Sequence, residues 1–336
     1  MGKVVTLGEI MLRFSTDCGI RIAQTEDFTA HYGGGEANVA VSLANYGHQV
    51  AFASKVPNNA LGEAVKKHLN RYSVDTGYLL KGGPRLGSYY LEAGIGERAA
   101  SVIYDRAGSS FALMTAIEWD TKELFSDCDI FHISGITPAL SEAWKELTIQ
   151  LIQAAKDAGC LISFDVNYRG KLWTKEEAGE TIRTILPYVD YCSAGNLDAQ
   201  HFLEISKYTG TSEEEESSYY YQEMQKKYPN ISVFYSTKRK VHSASANELI
   251  GTLWAGEQYY ESQCHLIDPI VDRVGGGDAF AGGVLHGLLN KANYQDVISF
   301  ATAASALKHT VHGDCNQFSE EEVNSFLAMG SGKIIR

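Results

Sequence analysis

Three consecutive segments, DIFHIS (129–134), SEAWKELTIQLIQAAKDA (141–158) and LISFDV (161–166), decide the fold. The first and third are short apolar runs of strand length, whereas the second has the apolar spacing of an amphipathic helix. The same alternation of strand-like and helical segments continues to residue 236. This order predicts an α/β fold, in which a central, mostly parallel sheet lies between two layers of helices.

The first third of the chain adds a second feature, because two of its segments alternate like exposed antiparallel strands. They cover about residues 11–34 and 85–107. Helical patterns at 37–46 and 61–72 separate them. Ligands of parallel sheets bind beyond the carboxyl ends of the strands. We therefore expect one domain, residues 1–336, in which the two insertions form a small β-sheet lid.

Composition excludes several classes of function. The chain has 41 acidic and 29 basic side chains and a net charge of −12, which is the wrong sign for binding nucleic acid or an anionic membrane. The 6 cysteines are scattered and show no zinc or disulfide spacing. No signal peptide and no apolar run of about 18 residues is present. These observations predict a cytoplasmic protein.

The most informative string is DRVGGGDAFAGG (272–283), which follows an apolar stretch and opens a helical one. Glycines at a helix N-terminus let backbone N–H groups turn toward an anion such as phosphate. A simpler alternative is a glycine turn with Asp278 as the helix N-cap. That alternative leaves the entropic cost of three consecutive glycines, roughly 0.5–1 kcal/mol each, unexplained.

Asp278 follows the predicted anion site directly, so its carboxylate could accept a proton from a hydroxyl that attacks a phosphate. The helix N-terminus should keep this carboxylate ionised and therefore a weak base. A loose transition state for phosphoryl transfer tolerates a weak base, because the proton moves late.

This string and GGEANVA (34–40) resemble the two signature motifs of the ribokinase (PfkB) family of carbohydrate kinases. The resemblance covers essentially the whole chain and implies a ribokinase-like three-layer sandwich with a β lid. It also implies an ATP-dependent kinase, with Asp278 as the base and Gly275, Gly276 and Gly277 holding the migrating phosphoryl charge. Mg²⁺ would accompany ATP; whether K⁺ is also needed is left open.

The lid strings SYYLE (88–92) and SVIYDR (101–106), with FDVNYR (164–169), resemble those of 2-keto-3-deoxygluconate kinases within that family. Their substrate is a sugar acid, phosphorylated at its terminal hydroxyl, and a guanidinium binds a carboxylate through paired donors. Arg13 stands where many fructose and ribose kinases carry an aspartate, and a base there would not repel a carboxylate. The resemblance implies substrate contacts by Gly34, Asn38, Tyr89, Tyr104, Arg106, Arg169 and Asp314. The simpler alternative is that Arg106 and Arg169 merely pair with acids of the chain.

The nucleotide side departs from the family pattern. NLDA (196–199) lacks the glutamate of the usual Asn-x-x-Glu, so that Asp198 or water would replace it near Mg²⁺. TKR (237–239) replaces a Thr-x-Gly turn and brings two cations toward the triphosphate. The resemblance implies nucleotide contacts by Asn196, Ser236, Lys238, Gly275 and Gly277, and it supplies no set of protein metal ligands.

Other enzyme classes fit poorly. GSGKI (330–334) lacks the hydroxyl of a P-loop, no dinucleotide fingerprint follows the first strand, and His309 and His312 lack a third zinc ligand. A kinase of a neutral sugar and a non-catalytic sugar-acid-binding regulator remain open, as does the choice between gluconate and galactonate. Lids of this family often pair between subunits, which predicts a homo-oligomer formed through the β lid.

Overall fold

The computed structural model describes residues 1–329, except for the side chains of Glu213 and Met329; segment 330–334 considered above lies outside this range. The strands are β1 Lys3–Leu7, β2 Met11–Ser15, β3 Thr29–Gly33, β4 Gln49–Val56, β5 Leu79–Lys81, β6 Ser88–Glu92, β7 Ser101–Asp105, β8 Ile130–Ser134, β9 Leu161–Asp165, β10 Tyr191–Ser193, β11 Val233–Ser243, β12 Ala246–Ala255, β13 Gln258–Glu261 and β14 His265–Ile267. The helices are α1 Gly35–Asn45, α2 Ala60–Arg71, α3 Thr121–Leu124, α4 Glu142–Asp157, α5 Lys175–Ile185, α6 Asn196–Phe202, α7 Glu213–Lys227, α8 Gly276–Leu289, α9 Tyr294–Lys308 and α10 Glu320–Met329.

The main sheet has the strand order β13-β12-β11-β10-β9-β8-β1-β4-β5, and β14 pairs with β12. All neighbours from β11 to β5 are parallel, whereas β12, β13 and β14 form an antiparallel edge. The β12–β13 hairpin turns at Gly256 and Glu257, which both have positive φ, the backbone of a two-residue type I′ loop. The mostly parallel sheet was predicted from the sequence, but this antiparallel edge was not.

Two apolar layers cover the sheet. Helices α4, α5, α6 and α7 pack on one face around residues such as Trp144 and Phe202, which are buried. Helices α1, α2, α8 and α9 pack on the other face around Val39 and Phe280. Parallel strands buried on both faces need such continuous apolar sequences. The three-layer α/β fold is confirmed.

A separate four-stranded sheet has the order β3-β2-β6-β7, and its strands lie within the two segments expected to form a lid. Its central pair, β2 and β6, is parallel rather than antiparallel, because each of these strands begins a separate β-hairpin. One face buries Arg13 and Tyr89; the other carries Phe14, Tyr90 and Ile103 in one cross-strand row.

Within residues 1–329, the structure contains no helix that combines the length and apolar character needed to span a membrane.

Candidate active site

A cavity of about 560 Å³ lies between the lid and the carboxyl ends of the parallel strands. Eleven of the predicted site residues line it: Gly34, Asn38, Tyr89, Tyr104, Arg106, Arg169, Gly275, Gly276, Gly277, Asp278 and Asp314. Six further charged or polar residues of its lining were not selected as site residues from the sequence: Glu9, Glu36, Asp165, Asn167, Thr237 and Arg273. Arg239, which also lines the cavity, was expected there only as one of the two cations of the TKR string. Asn196, Ser236 and Lys238 do not line it. A larger, mainly apolar groove of about 1080 Å³ adjoins the cavity beyond Tyr104 but contains none of the glycine loop.

The glycine loop enters α8 with each glycine in a different situation. Gly275 is the N-cap residue and has a φ of 81°, and a Cβ added there would lie 1.7 Å from the carbonyl oxygen of Asp314. A Cβ on Gly276 would meet the His309 ring at 2.3 Å. A Cβ on Gly277 would meet no described atom within 4 Å. Protein packing therefore explains the first two glycines, and only Gly277 faces open space at the helix N-terminus.

Asp278 is the third residue of α8 and does not cap the helix, so the structure disfavours the simpler alternative of an N-cap. Its Oδ2 accepts a hydrogen bond of 2.7 Å from the side-chain amide of Asn38 on α1. Burial raises the pKa of Asp278 to about 6, although the Asn38 hydrogen bond opposes this shift. The weak basicity expected from the helix N-terminus is therefore wrong. This carboxylate is ionised at neutral pH and is a stronger base than an ordinary aspartate.

Arg106, at the end of β7, is paired within the protein. Its Nε donates to Oε2 of Glu9 at 2.9 Å, and its Nη2 also contacts that oxygen. The Glu9 and Arg106 side chains are 2% and 10% exposed, so the pair is almost completely desolvated. Arg106 also lies 5.9 Å from the ring centroid of Tyr104. Arg106 therefore follows the simpler alternative, because it pairs with an acid of the chain.

Tyr89, Asp314 and Arg13 form a second buried set beneath the lid. The Tyr89 hydroxyl donates to Oδ2 of Asp314, and Nη1 of Arg13 lies 3.1 Å from Oδ1 of the same carboxylate. Arg13 also donates to Asp272 at 2.5 Å and is 1% exposed. Arg13 does not line the cavity. Asp272 and Asp314 take up the charge of Arg13, so this arginine is not available to bind a ligand in the cavity.

Arg169 differs from Arg106. It lines the cavity, and no carboxylate of residues 1–329 lies within ion-pairing distance of it. Asp165 is the last residue of β9, and Asn167, which follows it in the chain before Arg169, has a φ of 38°, in the left-handed region. The Asn167 backbone N–H and side-chain amide both donate to Asp165, at 3.2 and 3.3 Å. Burial raises the pKa of Asp165 to about 6, while Arg169 acts in the opposite direction.

Arg239 and Arg273 bring two more cations to the wall beside the glycine loop. Neither forms an ion pair within the described part of the chain. Although part of its side chain is exposed, desolvation at the cavity wall and, after it, the charge of Arg273 lower the pKa of Arg239 to about 10, so it stays protonated at neutral pH. Neighbouring residues of a strand point to opposite faces. Lys238 accordingly lies on the other face of β11, where its Nζ contacts Tyr259 and Glu261, both at 2.9 Å.

The two remaining nucleotide candidates also lie outside the cavity lining. The hydroxyl of Ser236 contacts those of Tyr221 and Thr252, at 2.8 and 3.1 Å. Asn196 begins α6, where Oδ2 of Asp198 accepts the Gly195 N–H at 2.8 Å. Asp198 thus acts as a helix cap. Of the TKR string, Thr237 and Arg239 line the cavity and Lys238 does not.

Comparison with known proteins identifies the family. A model described as pfkB family carbohydrate kinase matches residues 1–321. The chain belongs to this family. The family resemblance predicted from the two glycine-containing motifs is thereby confirmed, and the protein is a carbohydrate kinase.

Individual relatives of this carbohydrate kinase are similar over their whole length. A 2-dehydro-3-deoxygalactonokinase of Haloferax volcanii is 33% identical over 334 residues, 99% of each chain. The crystal structure of a PfkB family carbohydrate kinase from Listeria grayi is 48% identical with a TM-score of 0.93, covering 97% of this chain and 99% of that one. A 2-dehydro-3-deoxygluconokinase from Thermotoga maritima is 39% identical with a TM-score of 0.94, covering 97% and 98%.

The cavity wall of this kinase would suit a Mg²⁺ ion that is held in part by substrate phosphates. Within residues 1–329, no group of three His, Cys, Asp or Glu side chains is arranged to hold a metal ion. Mg²⁺ is commonly held by substrate phosphates, water and one or two carboxylates. Asp165 supplies a carboxylate in the cavity wall.

Proposed function

We propose that this kinase transfers the γ-phosphoryl group of ATP to the terminal hydroxyl of 2-keto-3-deoxygluconate, which is also named 2-dehydro-3-deoxygluconate. The observation that carries the proposal is the unpaired Arg169 in the cavity. Among the described residues, no carboxylate lies within ion-pairing distance of this guanidinium, although a carboxylate is its preferred ligand and the charges of Asp165 and Asp278 act on it at longer range. A neutral sugar would give it no counter-charge, whereas a sugar acid does.

Asp278 is the proposed general base. Its carboxylate removes the proton of the terminal hydroxyl while that oxygen attacks the γ-phosphorus, and ADP leaves. The hydrogen bond from Asn38 fixes the orientation of the carboxylate, and its raised pKa makes proton transfer easier. The N-terminus of α8 at Gly277 supports charge on the migrating phosphoryl group.

The acceptor end of the cavity would hold the rest of the sugar acid. Gly34 lets the chain approach closely, since a Cβ there would lie 2.1 Å from the carbonyl oxygen of Glu9. Tyr89 and Asp314 would offer polar atoms to sugar hydroxyls, and Tyr104 would cover the ligand from β7. In this proposal Arg106 donates to the substrate only through donors that Glu9 leaves free.

The nucleotide end is proposed around Arg239 and Arg273, with Gly275 and Gly277. Two unpaired cations beside a helix N-terminus suit a triphosphate. Mg²⁺ would reduce the negative charge of the phosphates, and Asp165 is a carboxylate of the wall that would help to hold it. Asn196, Ser236 and Lys238, predicted from the family pattern, are not part of this proposed site because they lie outside the cavity lining.

The first experiment measures ADP release by the purified protein with Mg-ATP and 2-keto-3-deoxygluconate, fructose or ribose. We expect the sugar acid to be preferred at least about a hundredfold in kcat/KM, roughly 2.7 kcal/mol. The galactonate epimer is included, because relatives of this chain carry both names. Preference for a neutral sugar would favour that alternative and contradict the role of Arg169. Binding of the sugar acid without turnover would favour a regulator.

A second proposal concerns assembly. The outer face of the lid carries Phe14, Tyr90 and Ile103 in one cross-strand row, and Ile103 is 53% exposed. We propose that a second copy of the chain covers this row. Ile103→Lys should convert a dimer to monomers in light scattering, whereas Val241→Lys, at an apolar side chain 57% exposed on β11, should not. A monomeric wild type would contradict the proposal.

A further inference from the structure

Lys308, the last residue of α9, is completely buried. Its Nζ donates to the main-chain carbonyl oxygen of Asp272 at 3.2 Å and to that of Val311 at 3.5 Å. A lysine ammonium is a compact, strongly hydrated charge, so removing it from water needs compensating oxygen ligands. These two carbonyls belong to the two segments that enclose the glycine loop.

The side chain of Asp272 connects this ammonium to the loop. Its carboxylate accepts the backbone N–H of Val274 at 3.1 Å and that of Gly313 at 3.0 Å, in addition to the bond from Arg13. The carbonyl of Asp314 packs against Gly275, where it leaves no space for a Cβ. Lys308 therefore lies under the glycine loop that precedes Asp278. Its ammonium holds the main-chain carbonyl of Asp272, the residue whose carboxylate in turn holds the loop.

The groups around Lys308 also determine whether a K⁺ ion could bind beside the glycine loop. An alkali cation here would need the carbonyl and carboxylate oxygens of this buried cluster. Two buried cations, Lys308 and Arg13, already balance the two buried carboxylates, Asp272 and Asp314. A third positive charge would be repelled, and the carbonyls of Asp272 and Val311 are occupied. These residues do not fit K⁺.

We infer that the Lys308 ammonium is a built-in cation that positions the glycine loop, so that this kinase needs no monovalent metal ion. Lys308 is a positioning residue, since it contacts the loop's supports and not the reacting atoms. The inference rests on the proposed ATP site at that loop.

The first test uses the wild-type protein in K⁺, Na⁺ and tetramethylammonium chlorides at equal ionic strength, because screening alone alters rates. Turnover and the Kd of Mg-ADP should change by less than about twofold among the salts. Activation or tighter binding by K⁺ of more than about fivefold would overturn the inference. Failure to turn over any sugar would contradict only the acceptor assignment, because Mg-ADP binding still reports on the loop.

The second test is Lys308→Met, which keeps the length of the side chain and removes its charge. Loss of a group that orients a site commonly costs about 10- to 100-fold. We expect that loss in tetramethylammonium, in both kcat and Mg-ADP affinity, and partial recovery in K⁺ or ammonium salts. Lys55→Met is the control, since Lys55 is a partly buried lysine on β4 that pairs with Glu118 and does not line the cavity.

A folded Lys308→Met variant with wild-type Mg-ADP affinity in every salt would overturn the positioning role. A weaker affinity for Mg-ADP in every salt, without recovery in K⁺ or ammonium, would still support the positioning role. It would mean that neither free ion reproduces the position of the lysine ammonium. If circular dichroism shows that the variant does not fold, the salt series of the wild-type protein decides alone.

Discussion

The two walls of the cavity differ in how their charges are paired. On the lid side, Arg106 is bound to Glu9 and Tyr89 to Asp314, both in buried pairs. On the side of the strand ends and the glycine loop, Arg169, Arg239 and Arg273 have no ion-pair partner among residues 1–329. The charges on the lid side therefore stabilise the protein, whereas the charges on the side of the strand ends and the glycine loop are available to bind a ligand.

This difference separates two roles that the sequence alone assigns to the same residue type. Breaking a buried ion pair leaves an uncompensated charge and destabilises the fold. An unpaired guanidinium is stabilised by an anionic ligand instead, so its removal should affect binding and leave stability nearly unchanged. The following substitutions test that separation, beginning with the base that both walls face.

Asp278→Asn should have the largest effect. The amide keeps the size of the side chain but cannot accept the hydroxyl proton, so kcat should fall by about 10²- to 10⁴-fold. Binding of the sugar acid, measured by calorimetry, should stay within about threefold because no large contact is removed. Asp296→Asn is the matched control, since Asp296 is likewise the third residue of its helix, α9.

The pH profile of kcat offers an independent check on Asp278. Its raised pKa of about 6 means that it holds its proton to higher pH than an ordinary aspartate. Only the deprotonated form accepts a proton, so turnover should fall as the pH is lowered through about 6. The pKa of Asp165 is also raised to about 6, so the acidic limb of the pH profile reports both carboxyl groups together. Full turnover of the Asn variant would contradict the assignment.

Arg106→Ala should reduce stability by roughly 3 kcal/mol, because it leaves Glu9 buried and uncompensated. Urea unfolding of the variant measures this loss. The double variant Arg106→Ala/Glu9→Gln should regain a part of it, since the neutral amide costs less to bury. A single variant as stable as the wild type would show that this pair does not fasten the lid.

Arg169→Ala should raise KM for the sugar acid about 10- to 100-fold, while KM for ATP and the free energy of unfolding stay nearly constant. Arg169→Lys keeps the charge but loses the paired donors, so an intermediate KM is expected. Arg85→Ala is a control at a surface arginine that pairs with Asp105. Equal changes in both KM values would remove Arg169 from the carboxylate role.

Much of the fold could be predicted because its signals are local. Short apolar runs alternating with helical periods specify the parallel core, and strands such as β8 and β9 lie close to the predicted segments. The antiparallel edge was not predicted because β11 continues to Ser243, well past the apolar run that ends at Ser236. Its second half is polar and half exposed, so hydrophobicity does not reveal it.

Site residues could be predicted where a short motif indicates the chemistry. They could not be predicted where a side chain is paired with a residue far away in the sequence. The glycine loop and Asp278 carry such chemistry locally. The partner of Arg106 lies 97 residues away and that of Tyr89 225 residues away, and nothing near either residue indicates the pairing. Asp165 and Asn167 could have been found, because polar residues at the carboxyl end of a parallel strand are expected in the site.

Arg239 and Lys238 provide the smallest and most local test, because they are neighbours with the same charge on opposite faces of β11. Arg239 lines the cavity, whereas Lys238 is bound to Glu261. Arg239→Ala should raise KM for ATP about tenfold, the effect of losing roughly 1.4 kcal/mol of binding. Lys238→Ala should leave it unchanged within about twofold, since Lys238 lies outside the cavity lining and a partly solvated ion pair contributes little. The reverse order would place the triphosphate on the other face of β11 and restore Ser236 and Lys238, the residues that the family pattern indicates.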